Sequence, residues 1–214
     1  MSDRKTSFVD DCIEQVDQAI RTMFGKPIGS GRNNPAQALE DTKLSATEKA
    51  ESMCLMRVNH AGEVCAQALY QGQALTARRK HVREQMEQAA TEENDHLVWC
   101  RQRVEDLGGH TSLLNPFWYS GSFVIGAITG LLGDKLSLGF LAETEDQVVK
   151  HLDRHLQRLP GSDKKSHAIL HQMKVDETKH KATALHSGGA ELPEPAKRLM
   201  TLLSRIMTTT AYRL

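Results

Sequence analysis

Four long helical runs, three of them ended by glycine or proline, are the feature that most constrains how this chain can fold. The first run begins at Ser45, with Glu48 three residues later at the spacing of a capping box, and continues to about residue 79. Strand patterns are nearly absent, so the sequence predicts an all-α four-helix bundle with one more amphipathic helix at its end, over residues 195–214. The other three runs stop at Gly-Gly or Pro-Gly pairs and cover residues 81–107, 136–159 and 163–186.

The part of the chain ahead of these runs has a different composition. A short amphipathic pattern over residues 8–24 leads into GKPIGSGRNNP, which is rich in glycine, proline and asparagine. The 214 residues are enough for one domain with a substantial core. We therefore predict an N-terminal arm and linker over residues 1–44 and one helical domain over residues 45–214.

The overall charge and the cysteines limit the partners and the cellular compartment that can be expected. Lysine plus arginine number 27, as do aspartate plus glutamate, so no excess charge favours binding to nucleic acid. The four cysteines form no CxxC pair, and the N-terminus carries acidic residues without the apolar core of a secretory leader. These acids also disfavour a mitochondrial presequence, although a mature form with its leader already removed would look similar. A bacterial protein in a reducing compartment is the default expectation.

Acidic and imidazole side chains fall on the apolar stripe of the second run. Glu92 lies on the polar side of this run, together with Gln88 and Asp95. Glu93 and His96 are therefore predicted to face the core, where a charged group is unfavourable unless it is compensated. Steps of three and four residues place these two in line with Met86, Ala89, Cys100, Val104 and Leu107.

The other three runs repeat this placement. The fourth run directs Glu177 and His180 inward, the third directs Glu145, and the first directs Glu63. Glu63 lies 30 residues before Glu93, and Glu145 lies 32 residues before Glu177, so the runs form two similar pairs. One glutamate followed by Glu-x-x-His, twice over, is the ligand set of ferritin-like bundles that hold two metal ions.

The charge of these six side chains indicates what compensates them. Four carboxylates and two neutral imidazoles carry about four negative charges, and no lysine or arginine shares their stripes. Two divalent cations would balance that charge. Mixed carboxylate and imidazole ligation without thiolates favours iron or manganese over structural zinc.

Four motifs carry a resemblance to a known family. The stretches RVNHAGEVCAQALYQGQ, EENDH, TEDQVVKH and DETKH resemble the demethoxyubiquinone hydroxylases of ubiquinone biosynthesis, and the resemblance covers residues 45–214. It implies a ferritin-like diiron monooxygenase that uses O₂ to hydroxylate the ring of a polyprenylated demethoxy-benzoquinol. The sequence has no dinucleotide-binding fingerprint or flavin motif, so it does not itself identify an electron source. The resemblance implies NADH or the reduced quinol.

The resemblance also assigns roles to individual residues. It implies that Glu63, Glu93 and His96 bind one iron ion and that Glu145, Glu177 and His180 bind the other, with Glu93 and Glu177 bridging the two. His151 matches a family histidine that lies near the site without binding the metal. Lys181 departs from the family pattern, because some members have a second histidine there, so no role carries over to it.

A long uncharged segment agrees with a lipid substrate. No charged residue occurs from Thr111 to Gly133, yet glycines interrupt the segment too often to predict a helix that spans a membrane. We predict an additional hydrophobic helix that inserts into a membrane surface or forms a substrate channel, with Phe117, Trp118 and Tyr119 at its leading edge. A buried helix or a dimer interface is the alternative.

The partners follow from the resemblance and this segment. They are a lipid quinone, a membrane surface and other proteins of ubiquinone biosynthesis, and a homo-oligomer is left open. The predicted location is peripheral, on the cytoplasmic side of a bacterial inner membrane. Two rival interpretations remain: a ferritin-like ferroxidase or peroxide-handling protein, and a structural membrane-associated bundle without metal.

Overall fold

The residues that the structure describes fold into seven α-helices. A computed structural model describes residues 8–25 and 27–214, and no strand occurs among these residues. This confirms the predicted all-α fold, whereas residues 1–7 of the predicted arm lie outside the described residues. The helices are α1 (Phe8–Phe24), α2 (Ala46–Thr76), α3 (Lys80–Asp106), α4 (Asn115–Leu132), α5 (Asp134–Arg158), α6 (Lys164–His186) and α7 (Glu194–Arg213).

Helices α2, α3, α5 and α6 form the core bundle. Helix α2 packs on α3, and α5 packs on α6, while α4 and α7 cover the outside of α2. Two apolar clusters fill the bundle, one around Met56, Cys100 and Met173 and the other around Met86 and Leu141. Each helix passes through both clusters, so the predicted glutamates and histidines lie in the layer between them. Burial of these apolar side chains, worth roughly 1.5–3 kcal/mol each, offsets the cost of that charged layer.

Local signals explain where the helices begin and end. The predicted capping box is present at the start of α2, where the Glu48 amide donates to Ser45 Oγ at 3.3 Å and the Ser45 amide donates to Glu48 Oε2 at 2.8 Å. Helix α2 ends at Thr76, earlier than the predicted residue 79. The reason is tertiary, because the Asp134 carboxylate accepts hydrogen bonds from the amides of Arg78 and Arg79 and holds them outside the helix.

Helix α4 corresponds to the predicted uncharged segment. Its glycines do not break it, because they let its backbone lie directly against α2. A Cβ atom on Gly126 would come within 2.3 Å of the Leu69 carbonyl oxygen, and one on Gly72 would come within 2.3 Å of the Phe123 carbonyl oxygen. No helix among the described residues is both long enough and apolar enough to cross a bilayer.

The segment that follows α1 lies across α3 and α6. The Ile28 carbonyl accepts a hydrogen bond from Asn94, and Ser30 donates two hydrogen bonds to Asp95. Further along, the Asp41 carboxylate lies 2.7 Å from the Lys165 ammonium group of α6. This segment thereby reaches the outer side of the layer that contains the predicted metal ligands.

Candidate metal centre

The structure brings all six predicted ligands together at the centre of the bundle. Each helix of the core contributes from the side that faces its neighbours, and i, i+3 spacing puts a glutamate and a histidine on one face of α3 and of α6. Two groups of four residues have ligand atoms that all lie within 4.8 Å of one another, so the cluster can bind metal. The first group is Glu63, Glu93, His96 and Glu177, and the second is Glu93, Glu145, Glu177 and His180.

Glu93 and Glu177 belong to both groups. They come from α3 and α6, which face each other across the bundle, and both are fully or almost fully buried. Glu63 from α2 joins only the first group, and Glu145 from α5 joins only the second. The arrangement therefore offers two adjacent positions for cations, with two carboxylates between them.

Each imidazole directs its Nδ1 atom toward the carboxylates. His96 Nδ1 lies 3.0 Å from Glu177 Oε1, 3.2 Å from Glu93 Oε2 and 3.8 Å from Glu63 Oε2. His180 Nδ1 lies 3.0 Å from Glu177 Oε2 and 3.4 Å from Glu93 Oε1. Nδ1 is therefore the nitrogen of each ring that faces the two positions for cations.

The other ring nitrogen of each histidine has an acidic partner. His96 Nε2 lies 3.1 Å from Asp176 Oδ2, and His180 Nε2 lies 2.9 Å from Glu92 Oε2. A carboxylate that accepts the Nε2 proton fixes the tautomer and leaves the Nδ1 lone pair available to a metal ion. Sequence reasoning missed both acids as partners, although each directly precedes a predicted ligand in the chain, as Glu92-Glu93 and Asp176-Glu177.

A guanidinium group stands behind one of these acids. Arg32 donates to Asp176 Oδ2 at 2.9 Å and to Asp95 Oδ2 at 2.8 Å, and it lies over the Trp99 ring. Both aspartates are almost completely buried. Burial alone would raise the pKa of Asp176, but the hydrogen bonds from His96 and Arg32 lower that pKa to about 2. No lysine or arginine of the core helices lies on the same helix faces as the predicted ligands. The guanidinium group of Arg32 reaches the site from the segment that precedes α2 instead.

Among the described residues, two buried oxygen atoms at the centre receive no hydrogen bond of good geometry, although an imidazole Nδ1 atom lies 3.0 Å from one and 3.4 Å from the other. They are Glu93 Oε1 and Glu177 Oε1, one on each of the glutamates that the two groups share. A buried carboxylate oxygen without a donor is costly, whereas coordination of a cation would satisfy it. The donor set of carboxylate oxygens and imidazole nitrogens suits iron or manganese. The residues present therefore fit a pair of divalent ions.

The pKa values of the buried groups reflect the negative charge that is concentrated in the site. Burial raises the pKa of Glu63 and of Glu145 well above the usual range, and the charges of Glu93 and Glu177 raise them further. Burial would also lower the pKa of His96, but the carboxylates around it raise that pKa well above its usual value. Bound cations would replace these protons, because metal ligands must be deprotonated.

Tyr70 contacts one member of the second ligand group without belonging to that group. Its hydroxyl donates a short hydrogen bond to Glu145 Oε1. The tyrosine is buried in the apolar cluster around Met86 and Leu141, and burial raises the pKa of its hydroxyl well above the usual value. It therefore stays protonated and orients the carboxylate of Glu145.

An apolar cavity of about 470 Å³ opens beside the cluster. Its wall includes Glu63, Glu145 and Glu177, while the rest is mostly apolar and comes from α2, α4, α5 and α7. His151 also lines this cavity and belongs to neither ligand group. Burial, together with Arg154 and Arg158, lowers the pKa of His151 to about 4, so the ring is neutral near pH 7.

Comparison with known proteins identifies relatives along almost the whole chain. The family model described as ubiquinone biosynthesis protein COQ7 matches residues 50–211. The chain is 58% identical to a 3-demethoxyubiquinol 3-hydroxylase of Nitrosococcus oceani, over 99% of each chain. It is 56% identical to a protein of the same name from Legionella pneumophila (strain Paris), over 98% of this chain and 99% of the relative. It is 54% identical to a protein of the same name from Azotobacter vinelandii, over 100% of this chain and 99% of the relative.

Proposed function

The chain belongs to the COQ7 family of ubiquinone biosynthesis proteins, and we propose that it is a 3-demethoxyubiquinol 3-hydroxylase with two iron ions per chain. Its substrate is the ring of a polyprenylated demethoxy-benzoquinol, and O₂ is the co-substrate. The observation that carries the proposal is the pair of overlapping ligand groups beside an apolar cavity. Glu93 and Glu177 are the bridging ligands in this proposal, because they alone belong to both groups.

The remaining ligands divide between the two ions. Glu63 and His96 bind one ion, and Glu145 and His180 bind the other. When bound, the iron pair supplies the reduction of O₂ by two electrons and two protons, with one oxygen atom inserted into a ring C–H bond and the other released as water. The chain contributes carboxylates held in place by Tyr70 and imidazoles held in place by Asp176 and Glu92.

The apolar cavity binds and orients the quinol. Glu63, Glu145 and Glu177 lie on its wall, so a ring inside the cavity is next to the proposed metal positions. Leu69, Ile125 and Phe140 contribute apolar wall from three different helices. They exclude water from the reacting ring and contact the prenyl chain, and exclusion of water also protects the reaction from side products. His151, which is neutral and lines the same wall, is a positioning residue in this proposal.

Exposed apolar side chains favour attachment to a membrane surface. Phe117 and Leu131 on α4 are 67% and 62% exposed, and Leu199 and Leu202 on α7 are 56% and 55% exposed. An amphipathic surface of this kind binds in the interfacial region of a bilayer, where a polyprenylated substrate resides. We place the enzyme on the cytoplasmic side of a bacterial inner membrane, with NADH or the reduced quinol as electron source. A homo-oligomer and other proteins of the pathway are its proposed partners.

Single-turnover hydroxylation tests the proposed function. The full chain is loaded anaerobically with Fe(II) and mixed with a reduced demethoxyquinone and isotopically labelled O₂, and the product is identified by mass. The proposal expects one labelled oxygen atom in the ring, and chain loaded with Zn(II) as control gives none. NADH is then added to an oxidised quinone in a second arm, which separates the two electron sources.

The same experiment separates the rival functions. A ferroxidase or peroxide-handling protein would consume O₂ without labelling the quinol, and a structural bundle would bind less than about one metal ion per chain after reconstitution. Either result would exclude the hydroxylase.

A further inference from the structure

A cationic groove lies between α5 and α7, next to the apolar cavity. It has a volume of about 720 Å³, and its single acidic residue is Glu143. Hydroxyl groups of α7, including those of Ser204 and Thr208, line it as well. Its five basic side chains are Lys150, Arg154, Arg158, Arg205 and Arg213, and we call this site the cationic groove.

Much of the charge in the cationic groove is not balanced by protein. Lys150 pairs with Asp146 at 2.5 Å, and Arg158 pairs with Glu51 at 2.6 Å. Arg154, Arg205 and Arg213 have no carboxylate oxygen within 4.0 Å among the described residues. Arginines that converge with hydroxyl groups form the usual protein environment of a phosphate, which they bind by several charge-assisted hydrogen bonds.

The cationic groove is continuous with the apolar cavity and with an exposed apolar surface. Val58, Gln147 and His151 line both the groove and the cavity. On α7, Arg205 and Thr208 face the groove, whereas Leu202, which lies outside its lining, is exposed. A ligand here meets cations on one side and apolar side chains on the other, the pattern of a basic amphipathic helix at a membrane surface.

We propose that the cationic groove binds the phosphate headgroup of an anionic phospholipid. The groove supplies the charge complementarity, and exposed apolar residues of α7 beside it, together with those of α4 at the adjoining apolar cavity, lie where acyl chains would lie. A reduced dinucleotide also carries phosphates, but it would leave these flanking apolar faces uncovered. The inference rests on the proposed function, because headgroup binding would hold the entrance of the apolar cavity against the bilayer that contains the quinol.

Vesicle binding tests this inference without measuring hydroxylation. The full, iron-loaded chain is sedimented with vesicles of phosphatidylcholine alone or with added phosphatidylglycerol. Removal of two groove charges, Arg154→Gln with Arg205→Gln, is compared with removal of two exposed charges elsewhere, Lys43→Gln with Lys80→Gln. Each cation next to an anionic bilayer contributes a factor of about five to binding. We expect the groove variant to lose tenfold or more in affinity for the anionic vesicles, and the control variant to lose little.

Several outcomes would overturn the inference. Equal binding to both kinds of vesicle, binding to neither, or equal losses in the two variants would each show that the groove does not recognise headgroups. Displacement from anionic vesicles by NADH, lost in the groove variant, would assign the groove to a nucleotide instead. Melting curves of both variants check that they are folded. Because hydroxylation is assayed separately, any of these results leaves the proposed function standing.

Discussion

The two histidines of the candidate metal centre occupy different surroundings. The His96 side chain is fully buried, and its acidic partner Asp176 is 2% exposed and contacts Arg32. The His180 side chain is 10% exposed, and its acidic partner Glu92 is 30% exposed. Glu92 is contacted by Gln88, which is neutral, in place of a guanidinium group. The two proposed metal positions thus have equivalent candidate ligands, but among the described residues only the His96 position has a guanidinium group, the partly exposed one of Arg32, behind its buried supporting acid.

The origin of this difference lies in the segment that precedes α2. Each supporting acid directly precedes one bridging glutamate and contacts the histidine of the opposite helix, so the repeat itself is symmetric. Arg32 breaks the symmetry, because it bridges Asp176 and Asp95, and the matching position to Asp95 in the other half is Lys179. A repeated ligand pattern therefore does not imply two equivalent metal positions.

Loss of a glutamate that belongs to both ligand groups should empty both metal positions, so that no difference between the two positions remains. We expect Glu93→Ala and Glu177→Ala each to prevent binding of the iron pair and to reduce hydroxylation by at least about a hundredfold, since each glutamate belongs to both groups. Metal content and product mass measure this. Glu87→Ala, on the exposed side of α3, is the matched control. Near-normal activity of either variant would remove its bridging role.

Neutral replacement of the two supporting acids should reveal the asymmetry directly. Loss of such a partner costs about 10- to 100-fold in metal affinity. We expect Asp176→Asn to lie at the upper end of this range, because its carboxylate is buried and its loss also removes one of the two acids that pair with Arg32, and Glu92→Gln at the lower end. Fe(II) titration against a chelator compares the two. Equal losses would contradict the difference between the positions.

Removal of the guanidinium group should affect one position only. Arg32→Gln leaves Asp95 and Asp176 without their shared cation, and we expect a loss of several-fold in iron affinity at the His96 position, less than for Asp176→Asn. Arg32→Lys should restore part of it, because lysine keeps the charge but not the paired geometry. On the Asp176→Asn background, Arg32→Gln should lower the iron affinity little further. Full additivity in this double-mutant cycle would show that Arg32 does not act through Asp176.

Tyr70→Phe should give the smallest effect of these substitutions, and the effect should fall on the His180 position. It removes one hydrogen bond to Glu145, worth about 1 kcal/mol, and leaves the apolar packing of the ring intact. We expect a change in the spectroscopic signal of the iron ion bound by Glu145 and His180, with little change at the other. An altered His96 position would show that the two positions are not separable in this way.

Much of the fold follows from patterns within single helices. Capping signals, glycine pairs and apolar stripes predicted the long helices, because each of these signals acts over a few residues. The end of α2 was misplaced, since Asp134, far along the chain, decides it through the amides of Arg78 and Arg79. The uncharged segment forms the additional hydrophobic helix that was predicted, but its sequence does not show that Gly126 allows close packing on α2.

The candidate site could be predicted only to the depth of the ligands themselves. A stripe identifies residues that face the core, and it places Glu92 and Asp95 on the polar side of their helix. Glu92 is partly exposed, as predicted, but Asp95 is buried, because the segment that precedes α2 covers it with Ser30 and Arg32. The contact of Glu92 with His180 depends on where α6 lies, which no periodicity in α3 contains. Arg32 lies in a segment rich in glycine and asparagine, 63 residues from Asp95, and no local pattern marks it as part of the site.

The most direct test of the central claim is Mössbauer spectroscopy of the full chain after anaerobic loading with isotopically enriched Fe(II) and subsequent oxidation. We predict two iron ions per chain that are magnetically coupled through shared carboxylates, with two distinguishable signals that reflect the different surroundings of His96 and His180. One iron ion or fewer per chain, or two ions without magnetic coupling, would contradict the claim.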